Sequence, residues 1–175
     1  MTPARRRLLF GAVGAAAALA GGAVAWNRLQ PAPAETAVLP ALWALSFDTP
    51  GGAALPMTQL RGKPLLINFW ATWCPPCIEE LPLLDDFYKK NIVKSWQVLG
   101  LAVDQPSAVR KFLAKMPLSF PIGLAGLDGT ELAKSLGNLA GGLPFTVVLG
   151  ADGQVRQRKM GRIDPAELTA WIAAG

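Results

Sequence analysis

Apolar and polar positions change their spacing several times along this chain, and each change marks an element. Leu8 to Trp26 is an uncharged run of 19 residues that follows Arg5-Arg6-Arg7. From Gln30 to Ala41 the chain is rich in Pro and Ala, which predicts an extended tether. Leu42 to Phe47 alternates as a strand would, "DTPGG" turns, and "LPMTQLRGKP" reads as a short strand or loop ending at Gly62. Leu65 to Trp70, "LLINFW", is continuously apolar apart from Asn68, as a central strand covered on both faces should be. A helix is predicted from about Cys74 to Lys90, and a second buried strand over Gln97 to Asp104. "QPSAVRKFLAKM" carries a helical stripe of Val109, Phe112, Leu113 and Met116. "FPIGLA" is short and extended, and "DGTELAKSLG" is a short helix closed by Gly137. "FTVVLGADGQVRQRKMG" predicts a hairpin turning at Asp152-Gly153. A last helix follows, with Asp164 as N-cap, Pro165 in its first position and Glu167 completing a capping box.

Strands alternating with helices, then a hairpin and a terminal helix, imply an α/β fold around a mixed sheet. Chemistry in open α/β sheets sits beyond the carboxyl ends of the strands. The only two cysteines, Cys74 and Cys77, fall there, just after the first buried strand.

At 175 residues, 51% of them apolar, the chain holds one domain with its own core plus a leader. The boundaries read as 1–28 for a signal anchor or signal peptide, 29–41 for the tether and 42–175 for the domain. Arginines ahead of an apolar run place the amino terminus in the cytoplasm and send the rest outward. "AVA" and "APA" offer cleavage sites, and "RRRLLF" loosely resembles a twin-arginine signal, so anchoring, cleavage and the export route all stay open. The net charge of +5 changes little. Of 17 basic residues, Arg5, Arg6, Arg7 and Arg28 lie in or beside the leader, leaving 13 against 12 acidic ones. Arg156, Arg158, Lys159 and Arg162 read as the solvent face of a strand, which argues against nucleic-acid binding.

Three uses of the cysteine pair compete. A closed zinc site needs four ligands, and the chain has two cysteines and no histidine. A structural staple across two intervening residues constrains very little chain. Redox exchange explains the spacing. Unpaired N–H groups and the helix dipole stabilise a thiolate at a helix start, so Cys74 is expected partly exposed and acidic, with Cys77 one turn in and buried. Pro75 and Pro76 stiffen the turn between them.

"NFWATWCPPCIEELP", together with "GLPFTVVL", resembles the thioredoxin superfamily, and within it the TlpA/ResA/CcmG-like exported thiol–disulfide oxidoreductases. The resemblance runs from about Leu42 to the carboxyl terminus. It implies a thioredoxin-like fold: a mixed central sheet flanked by helices, with an N-terminal hairpin and an added helix–strand insert. It implies further that Cys74 and Cys77 form the redox-active disulfide, Cys74 attacking and Cys77 resolving. Pro144 matches the family's cis-proline, and Leu143 beside it offers backbone hydrogen bonds to an extended substrate. Trp73, Pro75 and Pro76 complete the expected substrate surface, with Trp73 shielding the cysteine pair. No metal or cofactor is implied.

Two positions qualify the likeness. Cytoplasmic thioredoxins have a buried Asp where this chain has Asn68, so that acid is missing. Glu80, three residues after Cys77, matches an acidic residue of the ResA-like proteins and is expected to take the Cys77 proton. Its simpler reading, shared with Glu79, is a partner for the helix dipole. Pro82 also matches the family. The resulting expectation is an exported protein disulfide reductase, recharged by a membrane thiol donor of the CcdA/DsbD kind. Its substrates would be apocytochrome c cysteines or thiols of copper-delivery proteins. A disulfide-forming oxidant and a copper(I)-binding module without redox turnover are the alternatives.

Overall fold

The computed structural model describes residues 34–174, and the chain divides into two units, Met1–Thr36 and Ala37–Gly175. The arginine-led run, its cleavage sites and the first part of the expected tether lie outside the described residues. Among the described residues no helix is long and apolar enough to cross a membrane.

Seven strands make one mixed sheet: β1 (Ser46–Asp48), β2 (Ala54–Pro56), β3 (Leu65–Trp70), β4 (Gln97–Ala102), β5 (Ile122–Leu124), β6 (Phe145–Leu149) and β7 (Val155–Met160). Their order is β2-β1-β5-β4-β3-β6-β7. β4 runs parallel to both β3 and β5, whereas β1–β2, β1–β5, β3–β6 and β6–β7 pair antiparallel. Among the described residues five helices accompany it: α1 (Ala34–Trp43), α2 (Pro75–Asn91), α3 (Pro106–Leu113), α4 (Asp128–Ser135) and α5 (Pro165–Ala174). This is the thioredoxin-like arrangement, with β1–β2 as the N-terminal hairpin and α3–β5 as the insert.

Why the middle strands read as unbroken apolar runs is now evident: every residue of β3 and β4 is buried. Alternate side chains serve opposite faces. Leu66 and Trp70 join Val98, Leu81, Leu84 and both cysteines on one side. Leu65, Ile67 and Phe69 join Leu99, Leu101, Leu42 and Trp43 on the other. The hairpin turns where expected, with Gly153 at φ +77°, a conformation that favours glycine. Gly137, at φ +109°, closes α4. The capping box of α5 is complete: Glu167 N–H donates to Asp164 Oδ1 at 2.9 Å and Asp164 N–H donates to Glu167 Oε2 at 3.0 Å.

The tether departs from expectation. Ala34–Trp43 is helical with Pro40 inside it, and the expected strand from Leu42 begins only at Ser46. A proline within a helix costs about 3 kcal/mol. Leu39, Leu42 and Trp43 are buried, and each such side chain contributes roughly 1.5–3 kcal/mol, so burial outweighs the proline. Composition alone hid an apolar face at 39, 42 and 43.

Candidate active site

The pair sits at the junction of β3 and α2. β3 ends at Trp70, and the loop that follows is pinned twice to the end of β4. Asp104 Oδ2 accepts from Thr72 N–H at 2.8 Å and from Thr72 Oγ1–H at 2.6 Å. Val103 N–H donates to the Trp70 carbonyl at 2.8 Å. The chain then closes a turn, Cys74 N–H donating to Ala71 C=O at 3.3 Å, and Cys74 becomes the N-cap of α2.

Pro75 and Pro76 fill the first two helical positions, where an α-helix leaves N–H groups unpaired. Here those donors do not exist. The next N–H, on Cys77, turns back to the Cys74 carbonyl at 3.1 Å, and that of Ile78 follows at 3.2 Å. The first turn therefore offers Cys74 the helix dipole without the free N–H groups expected for it.

Cys74 and Cys77 are joined as a disulfide, with Cα atoms 5.3 Å apart. Cys74 is 4% exposed and Cys77 fully enclosed. The expected order of exposure holds, but Cys74 is buried rather than partly exposed, because both cysteines pack into the cluster of Trp70, Ala71 and Leu81. Trp73 is the opposite case. At 65% exposed it stands out from the surface. It borders a cavity of about 220 Å³ shared with Val103, Asn138, Gly142 and Leu143. The Leu143–Pro144 peptide bond is cis, and Gly161 N–H donates to the Pro144 carbonyl at 2.9 Å. Among the described residues, the backbone N–H and C=O of Leu143 make no hydrogen bond. Pro75 and Pro76 are exposed at the helix tip.

Glu80 lies 1% exposed one turn beyond Cys77. Its Oε1 accepts from Asn68 Nδ2 at 2.7 Å, and its Oε2 accepts from Ile163 N–H at 2.9 Å. Burial pushes its carboxyl above the ordinary value near 4.5, and the Ile163 and Asn68 donors and the Arg162 charge restrain the rise. Glu79 has a different setting: exposed, it pairs with Arg162 at 2.6 Å. The two neighbours thus tie α2 to the loop after β7, one through a carboxylate on a backbone N–H and the other through an ion pair.

Three partners escaped the sequence reading. In sequence Asn68 shows only a missing acid, yet its amide holds Glu80 and also donates to Thr146 Oγ1 at 3.0 Å. The available signal was a polar residue in each of two runs otherwise apolar, β3 and β6, since buried polar groups demand partners. Asp104 had no comparable signal; its link to Thr72 spans 32 residues. Among the described residues no three His, Cys, Asp or Glu side chains gather where they could hold a metal.

Known proteins resemble this chain in sequence and in fold. A thiol-disulfide oxidoreductase named ResA from Bacillus thuringiensis subsp. konkukian is 30% identical over 122 residues, 69% of this chain and 68% of the relative. A thiol:disulfide interchange protein named DsbE from Pseudomonas fluorescens biotype C is 35% identical over 133 residues, 74% of this chain and 71% of that one. The solved structure of MTB dsbF in mixed oxidized and reduced forms superposes with a TM-score of 0.65 at 27% identity, covering 82% of this chain and 98% of the other. The AhpC/TSA family profile matches residues 39–158. That match takes in the loop of Thr72, the disulfide, Glu80 and the cis-proline, and by it the chain belongs to the AhpC/TSA family.

Proposed function

We propose that the protein is a thiol–disulfide oxidoreductase of the ResA and DsbE kind, working as a reductase of protein disulfides. The observation that carries this reading is the Cys74–Cys77 disulfide at the tip of α2 with a buried carboxyl one turn behind it. In the reduced protein the Cys74 thiolate attacks a substrate disulfide. A bond forms from Cys74 to one substrate sulfur, and the other leaves as a thiolate that takes a proton from water. Cys77 passes its thiol proton to Glu80 and attacks the Cys74 sulfur. The Cys74–Cys77 bond forms, the second substrate thiolate departs, and two electrons have passed to the substrate.

Glu80 suits the acceptor role because its raised proton affinity brings it closer to that of a thiol than an exposed carboxylate would be. Trp73, Pro75, Pro76, Leu143 and Pro144 form the docking surface, with the unpaired Leu143 backbone groups receiving an extended substrate segment. The arginine-led run carries the domain out of the cytoplasm, and a membrane thiol donor returns the two electrons. Substrates by analogy are apocytochrome c cysteines or copper-centre thiols.

The test is a trap. In the Cys77→Ser variant Cys74 attacks and cannot be released, so adducts sensitive to dithiothreitol accumulate and mass spectrometry names them. Cys74→Ser should trap far less, since Cys77 is enclosed. Apocytochromes or copper-centre proteins among the adducts support the reductase; a broad set of secreted proteins instead overturns it in favour of an oxidant. No adduct with either variant overturns the redox reading itself.

A further inference from the structure

Asn68 is fully buried and only half used. Both hydrogens of its Nδ2 are taken, one by Glu80 Oε1 at 2.7 Å and one by Thr146 Oγ1 at 3.0 Å. Its Oδ1, enclosed in the same place, has no partner among the described residues. Buried acceptors are rarely left idle, and an idle one asks for a reason.

The reason lies in which form of Glu80 this arrangement serves. A carboxylate only accepts, and it faces donors on both sides: Asn68 at Oε1 and the Ile163 N–H at Oε2, 2.9 Å away. The Ile163 donor belongs to the backbone and cannot turn into an acceptor. A proton arriving on Glu80 is therefore directed to Oε1, where it meets the wrong end of the Asn68 amide. A half-turn of that amide exchanges its ends at nearly constant volume. Oδ1 then accepts from the Glu80 O–H and from the Thr146 hydroxyl, which donates as well as it accepts. Two hydrogen bonds at Asn68 are made in either orientation, and one end is idle in each.

We propose that the Asn68 side-chain amide inverts with the proton on Glu80, donating to the carboxylate and accepting from the carboxylic acid. Asn68 is then a positioning residue for the proton transfer, not the vacancy left by a lost acid. An aspartate at this position could not do the same: it would set two carboxyls together to share one proton. The charged and titratable groups facing Glu80 are few. The loop after β7 brings Arg162, itself bound to Glu79 at 2.6 Å. The helix of Glu80 carries Glu79 and Cys77. β3 and β6 present the neutral Asn68 and Thr146. The inference deepens the reading of Glu80 as proton acceptor, on which its role in turnover rests, while the inversion itself is tested by titration alone.

The experiment uses the full-length oxidised protein, in which the cysteines do not titrate. Nuclear magnetic resonance follows the Glu80 Cδ and the Asn68 Nδ2 hydrogens as pH falls. Above the Glu80 midpoint those hydrogens should show Overhauser contacts to Thr146; below it the contacts should vanish as the amide turns. Contacts that persist unchanged with Glu80 protonated overturn the inversion. Asn68→Leu gives a second reading. An amide serving both forms shifts the Glu80 midpoint by less than one pH unit when removed, under tenfold in proton affinity. A rise of one unit or more marks a fixed donor and refutes the proposal. If the leucine variant does not fold, the Overhauser contacts of the parent decide. A failed inversion leaves the trapping result of Cys77→Ser untouched, and a failed trap leaves the inversion measurable.

Discussion

Replacing Glu80 by Gln should change how stability depends on pH more than it changes stability itself. In the oxidised protein the glutamine keeps the shape, its carbonyl accepts from Ile163 N–H, and its amide nitrogen faces Asn68, whose turned amide presents Oδ1. The difference from the parent is the titrating proton. Burial raises the Glu80 proton affinity in the folded protein above the ordinary value near 4.5 that it regains on unfolding. A group raised in this way contributes stability that is complete below the unfolded value and lost as pH climbs through the folded one. Within that window the loss runs at up to about 1.4 kcal/mol per pH unit. Urea unfolding with a slope of roughly 1–3 kcal/mol per molar converts this to roughly 0.5–1.4 M in midpoint per pH unit. Asp85 and Glu167, held below their usual range, push the opposite way as pH falls, but both proteins contain them and they cancel in the difference. Parent and variant should be compared in steps from pH 4 upward. The variant should gain on the parent as pH rises above 4.5, then run level. A difference that is constant across pH, or that favours the parent at high pH, refutes the argument that burial dominates at Glu80.

Three further outcomes follow from contacts already described. Asp164→Ala removes the acceptor of the Glu167 N–H and should cost about 1 kcal/mol in thermal unfolding; no loss would mean that α5 is held by packing alone. Asp104→Ala leaves the Thr72 N–H and hydroxyl without their acceptor and should cost roughly 1–3 kcal/mol, with faster reduction of the Cys74–Cys77 bond by dithiothreitol as its loop loosens; an unchanged reduction rate would separate Asp104 from the site. Burial raises the affinity of Asp85 for its proton, yet its bonds to Lys89 at 2.6 Å and to Ser119 N–H at 2.5 Å outweigh that and hold the carboxyl below its ordinary value. Its stabilisation is therefore present above the ordinary value near 3.8 and lost as pH falls through the lowered one. Asp85→Asn should flatten the acid limb of the stability curve, and an unaltered limb would count against the bond.

Local physics was the legible part of this chain. β3 and β4 declared themselves because strands covered on both faces admit almost nothing polar. The start of α5 was equally plain, since Asp164, Pro165 and Glu167 satisfy each other within four residues. The cysteines fell at the helix tip because a strand and a helix pattern met there. Contacts joining distant segments left weaker traces. Asn68 and Glu80 meet across the turn from strand to helix; the sequence points to Glu80 as the acceptor of the Cys77 proton, but at Asn68 alone it shows only a missing acid. The burial of Cys74 comes from packing against Trp70, Ala71 and Leu81, which no spacing rule contains. The helix at 34–43 was hidden because proline content outweighed three apolar positions in the reading, while in the fold their burial decides.

The basic residues of β7 carry a consequence for self-association. β7 and β2 are the two outer strands of the sheet among the described residues. β2 is three residues long and ends in Pro56, which has no N–H to give. β7 is longer, but Arg156, Gln157 and Arg158 are exposed in succession along it, with the half-buried Lys159 next. A second copy zipping antiparallel onto it would have to accommodate these long charged side chains together with Asp152 and Glu167, which pair with Arg156 and Lys159. Intermolecular sheet growth is thus discouraged at both margins of the sheet.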